Sequence, residues 1–279
     1  MDFCRYYRRY FHIGGIYRLG KFLGPVIGGC IGLWFGLRAP FLLLAVLCVL
    51  AALVILVFMQ ADMPTEKEKH EHPGHANIGT VLREQRQILA SAGSAQLLGQ
   101  MIRGGRNTLI PLYAADVLGL DVATIGLIVG IGSFMDMLMV IPAGFVMDKL
   151  GRKWAIVPCF GLQALGMLFV PFSLTAVALV FAQVIMGLSN GIGSGSMMTL
   201  GSDLAPDDAR GEFLGIWRFI GDGGFLAAPI IIGAVADILV LSSAAIVMSG
   251  AGFMAAGIFA VFVPETLKKD KQKRQSAST

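Results

Sequence analysis

The stretch WAIVPCFGLQALGMLFVPFSLTAVALVFAQVIMGLSNGIGSGSMMTLGS, Trp154 to Ser202, contains no Asp, Glu, Lys or Arg. It is 49 residues long. A soluble domain carries about 25% charged residues, so a run of this length does not belong on a water-facing fold. The ~30 Å hydrocarbon core of a bilayer takes about 20 residues of helix, which makes the run too long for one crossing and suitable for two. Pro171-Phe172-Ser173-Leu174-Thr175 supplies the turn between them, because proline removes a backbone donor and clashes one turn back.

Working outward, the same character holds along the chain. Of 279 residues, 56% are hydrophobic and 14% charged, with a mean hydropathy of +0.73. An ordinary water-soluble enzyme is excluded on that ground. There are 36 glycines, about 13% against an average of about 7%. No triplet period accompanies them, so collagen is excluded, and the chain is too apolar for disorder. Small residues let packed membrane helices approach closely. Eight helices are expected, at Ile13–Phe35, Ala39–Met59, Ala95–Leu118, Val122–Met147, Trp154–Leu174, Thr175–Leu200, Phe213–Ile238 and Leu241–Val263. The expected fold is therefore an all-α membrane protein with about eight transmembrane helices. Its parts are an N-terminal helix pair (1–59), a charged central loop (60–94) ending in an amphipathic helix, a six-helix bundle (95–264) and a basic tail (265–279).

Charge placement sets an expected orientation. With the N-terminus in the cytoplasm, sixteen cations fall in cytoplasmic segments: Arg5, Arg8, Arg9, Lys67, Lys69, Arg83, Arg86, Lys149, Arg152, Lys153, Arg210, Lys268, Lys269, Lys271, Lys273 and Arg274. The opposite loops hold only Arg38, a strong positive-inside bias that puts both termini in the cytoplasm of a cell membrane. Arg5, Arg8 and Arg9 precede an apolar run that continues to Phe35 without a good cleavage context, so it reads as a first span and not a signal peptide.

Cys4, Cys30, Cys48 and Cys159 are far apart and show no CxxC spacing, which argues against a disulfide framework or zinc site. His70, His72 and His75 read as solvated loop residues, and no metal is expected. No GxxxxGK[ST] loop occurs, so neither ATP nor any other cofactor is expected. No basic-aromatic module points to nucleic acid.

Two segments resemble each other. Ile16-Tyr17-Arg18 leads into Gly24-Pro25-Val26-Ile27-Gly28, and Ile216-Trp217-Arg218 leads into Ala228-Pro229-Ile230-Ile231-Ile232-Gly233. The arginines are 200 residues apart, or six spans, as expected of a transporter built from two duplicated halves.

Gly144-Phe145-Val146-Met147-Asp148-Lys149-Leu150-Gly151-Arg152-Lys153 resembles the G-x-x-x-D-[RK]-x-G-R-[RK] loop signature of the major facilitator superfamily. Gly20, Gly24, Pro25, Gly28 and Gly29 resemble the glycine-proline motif in the fifth helix of its drug/proton antiporters, and Pro264-Glu265-Thr266 resembles the end of its twelfth helix. The resemblance runs from about residue 13 to residue 266. It implies a C-terminal six-helix half preceded by two helices of the N-terminal half. The first four helices, the other copy of the loop signature and the proton-linked arginine motif are not in this sequence. The family's activity implies a secondary transporter, not an enzyme, with proton-coupled efflux of small organic molecules by alternating access. The alternative is a non-transporting membrane fragment, or a subunit needing a partner chain or a dimer. The expected partners are the lipid bilayer, a small-molecule substrate and protons.

In the loop signature, Asp148 is expected near the N-terminus of a neighbouring helix, where the dipole favours an anion. Arg152 and Lys153 are expected to pair with Asp148 or with acids of the next cytoplasmic loop, such as Asp208 and Glu212, and the resemblance implies that Gly144, Asp148, Lys149, Gly151, Arg152 and Lys153 gate the conformational change. Gly20, Gly24 and Gly28 share one helix face at four-residue spacing.

Charges inside spans are the strongest site candidates, because lipid disfavours them. Twelve residues at ~1.5 Å each put Asp136 ~18 Å from Asp148, near mid-membrane. Arg103, Arg106, Arg218 and Asp222 share that layer. Asp136 reads either as a proton carrier or as the salt-bridge partner of Arg103 or Arg106. Arg103 and Arg106, one turn apart, either face a cavity and attract an anionic group or snorkel to headgroups. Arg218 and Asp222 form an i,i+4 pair. Arg18 and Lys21 are expected nearer the interface, and Gln100, Gln163, Gln183 and Asn190 either line a polar path or bridge helices.

Overall fold

A computed structural model describes residues 2–58, 78–193 and 195–265, with side chains at 18–57, 78–193 and 195–265. The described residues form helices and turns only. They are α1 (Asp2–Phe35), α2 (Ala39–Phe58), α3 (Ile78–Glu84), α4 (Ser94–Asp116), α5 (Val122–Leu138), α6 (Val140–Lys149), α7 (Arg152–Phe169), α8 (Ala176–Ile192), α9 (Ser196–Leu204), α10 (Arg210–Ile238) and α11 (Leu241–Phe262). A helical turn at Arg86–Ile88 and a π-turn at Leu89–Gly93 join α3 to α4. Among the described residues, six stretches are long and apolar enough to cross a membrane: Ala39–Val57, Val122–Lys149, Arg152–Phe172, Ala176–Leu204, Asp207–Ile238 and Leu241–Phe262. The other two expected spans are helices of 34 and 23 residues, α1 and α4. They are less hydrophobic than the six: α1 carries Arg18 and Lys21, and α4 carries Gln96, Gln100, Arg103, Arg106 and Asn107.

Two expected spans are each broken into two helices. The second span of the bundle stops at Leu138 and restarts at Val140. Pro142 lies four residues beyond Leu138 and cannot donate to its carbonyl. The fourth stops at Ile192 and restarts at Ser196, with Gly195 in a left-handed conformation (φ +77). The first helix begins at Asp2, eleven residues before the expected Ile13, because Arg, Tyr and Phe there are compatible with a helix and no breaker precedes Gly14.

The helices close into a bundle. α4 packs on α10 and α11, α11 on α7, α7 on α8, α8 on α5, and α5 on α1. The core holds Trp217, Tyr113, Phe160, Phe213 and Phe259, all fully buried. Phe160 and Phe259 stack at 5.7 Å between ring centres. Trp217 donates its indole N–H to the Met197 carbonyl at 3.1 Å, and Tyr113 donates its hydroxyl to the Pro171 carbonyl at 3.4 Å, so their polar ends are satisfied in the apolar interior. The outer surface is apolar. α2 is exposed from Phe41 to Val57 and touches chiefly α1, which suits a helix in hydrocarbon, where all backbone bonds stay internal. Outside the spans, Asp121 caps α5 by accepting from the Thr124 amide at 3.1 Å. That bond and a second from the Thr124 hydroxyl hold its carboxyl below the usual carboxylate range.

α1 and α5 meet where side chains are missing. A Cβ on Gly126 would strike the Pro25 carbonyl and lie 3.2 Å from the Gly29 Cα, and one on Gly130 would strike Val26. Gly126→Val is therefore expected to lower stability by about 1–3 kcal/mol through overpacking, measured by thermal unfolding in detergent. An unchanged melting temperature would show that the two helices do not hold this contact.

Candidate functional site

Two adjoining cavities of about 210 and 200 Å³ lie between α1 and the bundle. Both are lined by Lys21, Arg106 and Asn107. The first also takes in Asp136, Ser133 and Gln183, and the second Gln100, Arg103, Gln163 and Asn190. A larger, open depression of about 670 Å³ is formed by Gly79, Thr80, Arg83, Glu84 and Arg86. It contains none of the in-span charges.

The charged side chains of the site come from three helices: Arg18 and Lys21 from α1, Arg103 and Arg106 from α4, and Asp136 from α5. Asp136 sits at the end of α5, one residue short of a full turn from the break at Met139, and is 5% exposed. Arg18 of α1 donates to its Oδ1 at 3.2 Å. Of the two readings of Asp136, the salt-bridge one named Arg103 or Arg106; the ion-pair partner is Arg18 instead. α1 starts at Asp2, so Arg18 sits well inside the helix. Lys21, one turn further, lines both cavities and has no ion pair among the described residues.

Arg106 is buried. Its Nε donates to Gln183 Oε1 at 3.0 Å and its Nη1 to the Met186 carbonyl at 3.4 Å. Gly132 makes room for it: a Cβ there would stand 2.7 Å from Arg106 Nη2. Arg103 donates through Nη2 to the Gly193 carbonyl at 3.4 Å and to Cys159 Sγ at 3.7 Å, and its guanidinium lies 5.2 Å from the centre of the Phe160 ring. The break between α8 and α9 explains the first contact, since irregular backbone inside a membrane needs a partner from the protein or from a cavity. Both arginines thus point inward, and neither snorkels.

Arg218 and Asp222 are not at this site. Their side chains are 71% and 68% exposed on the outer face of α10, 3.9 Å apart. Gln163 is fully buried and neither of its amide atoms has a hydrogen-bond partner. Cys159 is buried while Cys30 and Cys48 are exposed, all as free thiols. Among the described residues no group of three or more His, Cys, Asp or Glu is placed to hold a metal. His70, His72, His75 and the tail cations lie outside the described residues.

At one end of the bundle the loop Gly144–Lys153 makes a second arrangement. Gly151 adopts φ +116, and a Cβ there would strike the Glu265 carboxylate. Glu265 Oε1 accepts from the Arg152 amide at 2.9 Å and Oε2 from the Lys153 amide at 3.0 Å. The acid at the N-terminus of α7 is therefore Glu265 and not Asp148. The Arg152 side chain donates to Asp203 at 3.1 Å and to the Met147 carbonyl at 3.3 Å; Asp203 lies just past Leu200, in the stretch whose acids are expected to meet this arginine. Asp148 and Lys149 are exposed. Gly144 meets nothing within 4 Å of where a Cβ would stand. Gly20, Gly24 and Gly28 line an apolar crevice of about 410 Å³ between α1 and α2 together with Pro40 and Leu44, while Gly29 and Pro25 face α5.

A multi-pass bundle of apolar helices enclosing a polar, charged cavity defines an integral membrane protein. The model of the Major Facilitator Superfamily matches residues 92–278, and the chain belongs to that superfamily. An uncharacterized MFS-type transporter of Methanocaldococcus jannaschii is 24% identical over 224 residues, covering 79% of this chain and 57% of that protein. The chain thus spans little more than half the length of that curated relative.

Proposed function

We propose that this chain is a secondary transporter that exports small organic molecules in exchange for protons, by alternating access to the paired cavities. It acts as a carrier and not as an enzyme, with both termini in the cytoplasm of a cell membrane. The observation that carries the reading is the Asp136–Arg18 ion pair, 3.2 Å long, joining α5 of the bundle to α1 across the cavity wall. A proton arriving at Asp136 removes the negative charge that holds Arg18. The two bodies then separate along the Gly126–Pro25 seam, and the cavity changes the side on which it opens. Family membership and the MFS-type relative support the transporter class. The sixteen-to-one cation asymmetry supports the orientation.

The second reading, a fragment or subunit that works only with a partner chain or second copy, draws on the outer face of α10. Arg218 and Asp222 are mostly exposed there within an apolar span, where lipid is a costly surrounding for charge. The test is reconstitution of the purified chain alone in proteoliposomes with an imposed pH gradient. Substrate-dependent proton movement is expected from the chain alone. Its absence, with recovery on adding the partner, would select the second reading.

A further inference from the structure

We infer that the paired cavities take a small organic anion, a carboxylate or phosphate-bearing solute with a second polar group. The inference rests on the transport reading for its consequence, and on the cavity alone for its chemistry. Four cations, Arg18, Lys21, Arg103 and Arg106, gather around one carboxylate, Asp136. That carboxylate already accepts from Arg18. The acceptors of the two arginines are neutral: an amide oxygen and a carbonyl for Arg106, a carbonyl and a thiol for Arg103. Arg103 Nε has no partner, and Lys21 completes the wall of both cavities. Buried charges are ordinarily paired; Arg106 is buried and Arg103 half-buried with no ion pair among the described residues, and the exposed Lys21 adds positive charge beside them, so this wall lacks its counter-ion.

Gln163 points to the same conclusion independently. It is 0% exposed, lines the 200 Å³ cavity, and leaves both its carbonyl oxygen and its amide nitrogen without a partner. A buried amide in this condition is worth satisfying. A ligand hydroxyl, keto or second acid group can do so while the first acid group meets the arginines, which present planar forks suited to carboxylate and phosphate. A cationic solute meets an excess of like charge and no free acid.

The test uses the full chain in a nonionic detergent without anionic lipid, with succinate and inorganic phosphate as anion probes and choline as the cation probe. Succinate or phosphate is expected to bind saturably and choline not at all. Arg106→Gln is expected to weaken anion binding at least tenfold, and Arg106→Lys less. Two variants guard against misfolding: Gln163→Leu, which keeps the charge, is expected to weaken binding several-fold, and Asn107→Asp, at an exposed lining position, to weaken it at least as much by adding a negative charge. Choline binding without anion binding would overturn the inference, as would an absence of anion binding or equal affinity in all four variants. Displacement by phosphatidylglycerol with no effect of succinate or phosphate would assign the wall to a lipid headgroup and overturn the solute. Anion binding without flux in proteoliposomes would remove the transport reading and leave the anion site standing, whereas choline flux without anion binding would do the reverse.

Discussion

Asp136→Asn is expected to reduce proton-coupled flux in proteoliposomes to the level of empty vesicles while the protein still inserts and folds. Among the described residues, the variant removes the one carboxylate that lines the cavities beside these cations. It also leaves Arg18 without its ion-pair partner. Breaking a fully buried pair by removing one member costs about 3–5 kcal/mol. The Arg18 side chain keeps 20% of its surface exposed, so a loss of about 1–3 kcal/mol is expected here. Adding Arg18→Gln is expected to recover part of that stability, since neither charge is then left alone. The double variant should remain uncoupled, because no titratable group replaces Asp136. Coupled flux at the wild-type level in Asp136→Asn would take Asp136 out of the proton path.

Gly151→Ala is expected to be the most damaging small substitution outside the cavity. At φ +116 an alanine costs about 1–3 kcal/mol in backbone strain. Its methyl group would also displace the Glu265 carboxylate from the Arg152 and Lys153 amides, and losing such a cap costs about 1 kcal/mol. Together a loss of about 2–4 kcal/mol is expected, read as a drop in melting temperature. Glu265→Ala removes the cap without the strain and should give the smaller part of that loss. The functional consequence is argued from what the loop connects. Glu265, just past α11, and Asp203, at the end of α9, both hold the start of α7. Movement of these ends relative to one another must release both contacts, so Glu265→Ala is expected to change turnover more than ligand affinity. Equal melting temperatures for wild type and Gly151→Ala would show that the Glu265 contact is not made.

The fold class was readable because its cause is local. The uncharged run Trp154–Ser202 can satisfy its backbone only as helix in a bilayer, and the expected turn near Pro171–Thr175 falls between α7 and α8, where Tyr113 caps the Pro171 carbonyl. Helix continuity was less readable. Pro142 and Gly195 mark the two breaks, inside stretches that hydropathy alone reads as single spans. At the site, Asp136, Arg103 and Arg106 stood out because each is a charge deep in an apolar sequence. Their pairing did not, since it depends on which helix lies opposite. Arg18 and Lys21 read as near-interface residues because the apolar run begins at Ile13, whereas α1 begins at Asp2. Arg218 and Asp222 have the same sequence character as the cavity charges, yet the rotation of α10 turns them outward. Glu265 was visible in Pro264-Glu265-Thr266 as a resemblance, but its use as a cap for a helix more than a hundred residues earlier is a tertiary fact.

The central claim is that the cavity between α1 and the bundle opens to the two sides of the membrane in turn. Asn107 lines both cavities and is exposed, so it reports on that opening directly. In a background with Cys4, Cys30, Cys48 and Cys159 replaced by serine or alanine, Asn107→Cys would be treated with a membrane-impermeant thiol reagent added to one side of oriented vesicles at a time. Labelling is expected from either side, with a shift to acid pH raising labelling from one side and lowering it from the other. Labelling from one side only, unchanged across pH and ligand, would contradict it.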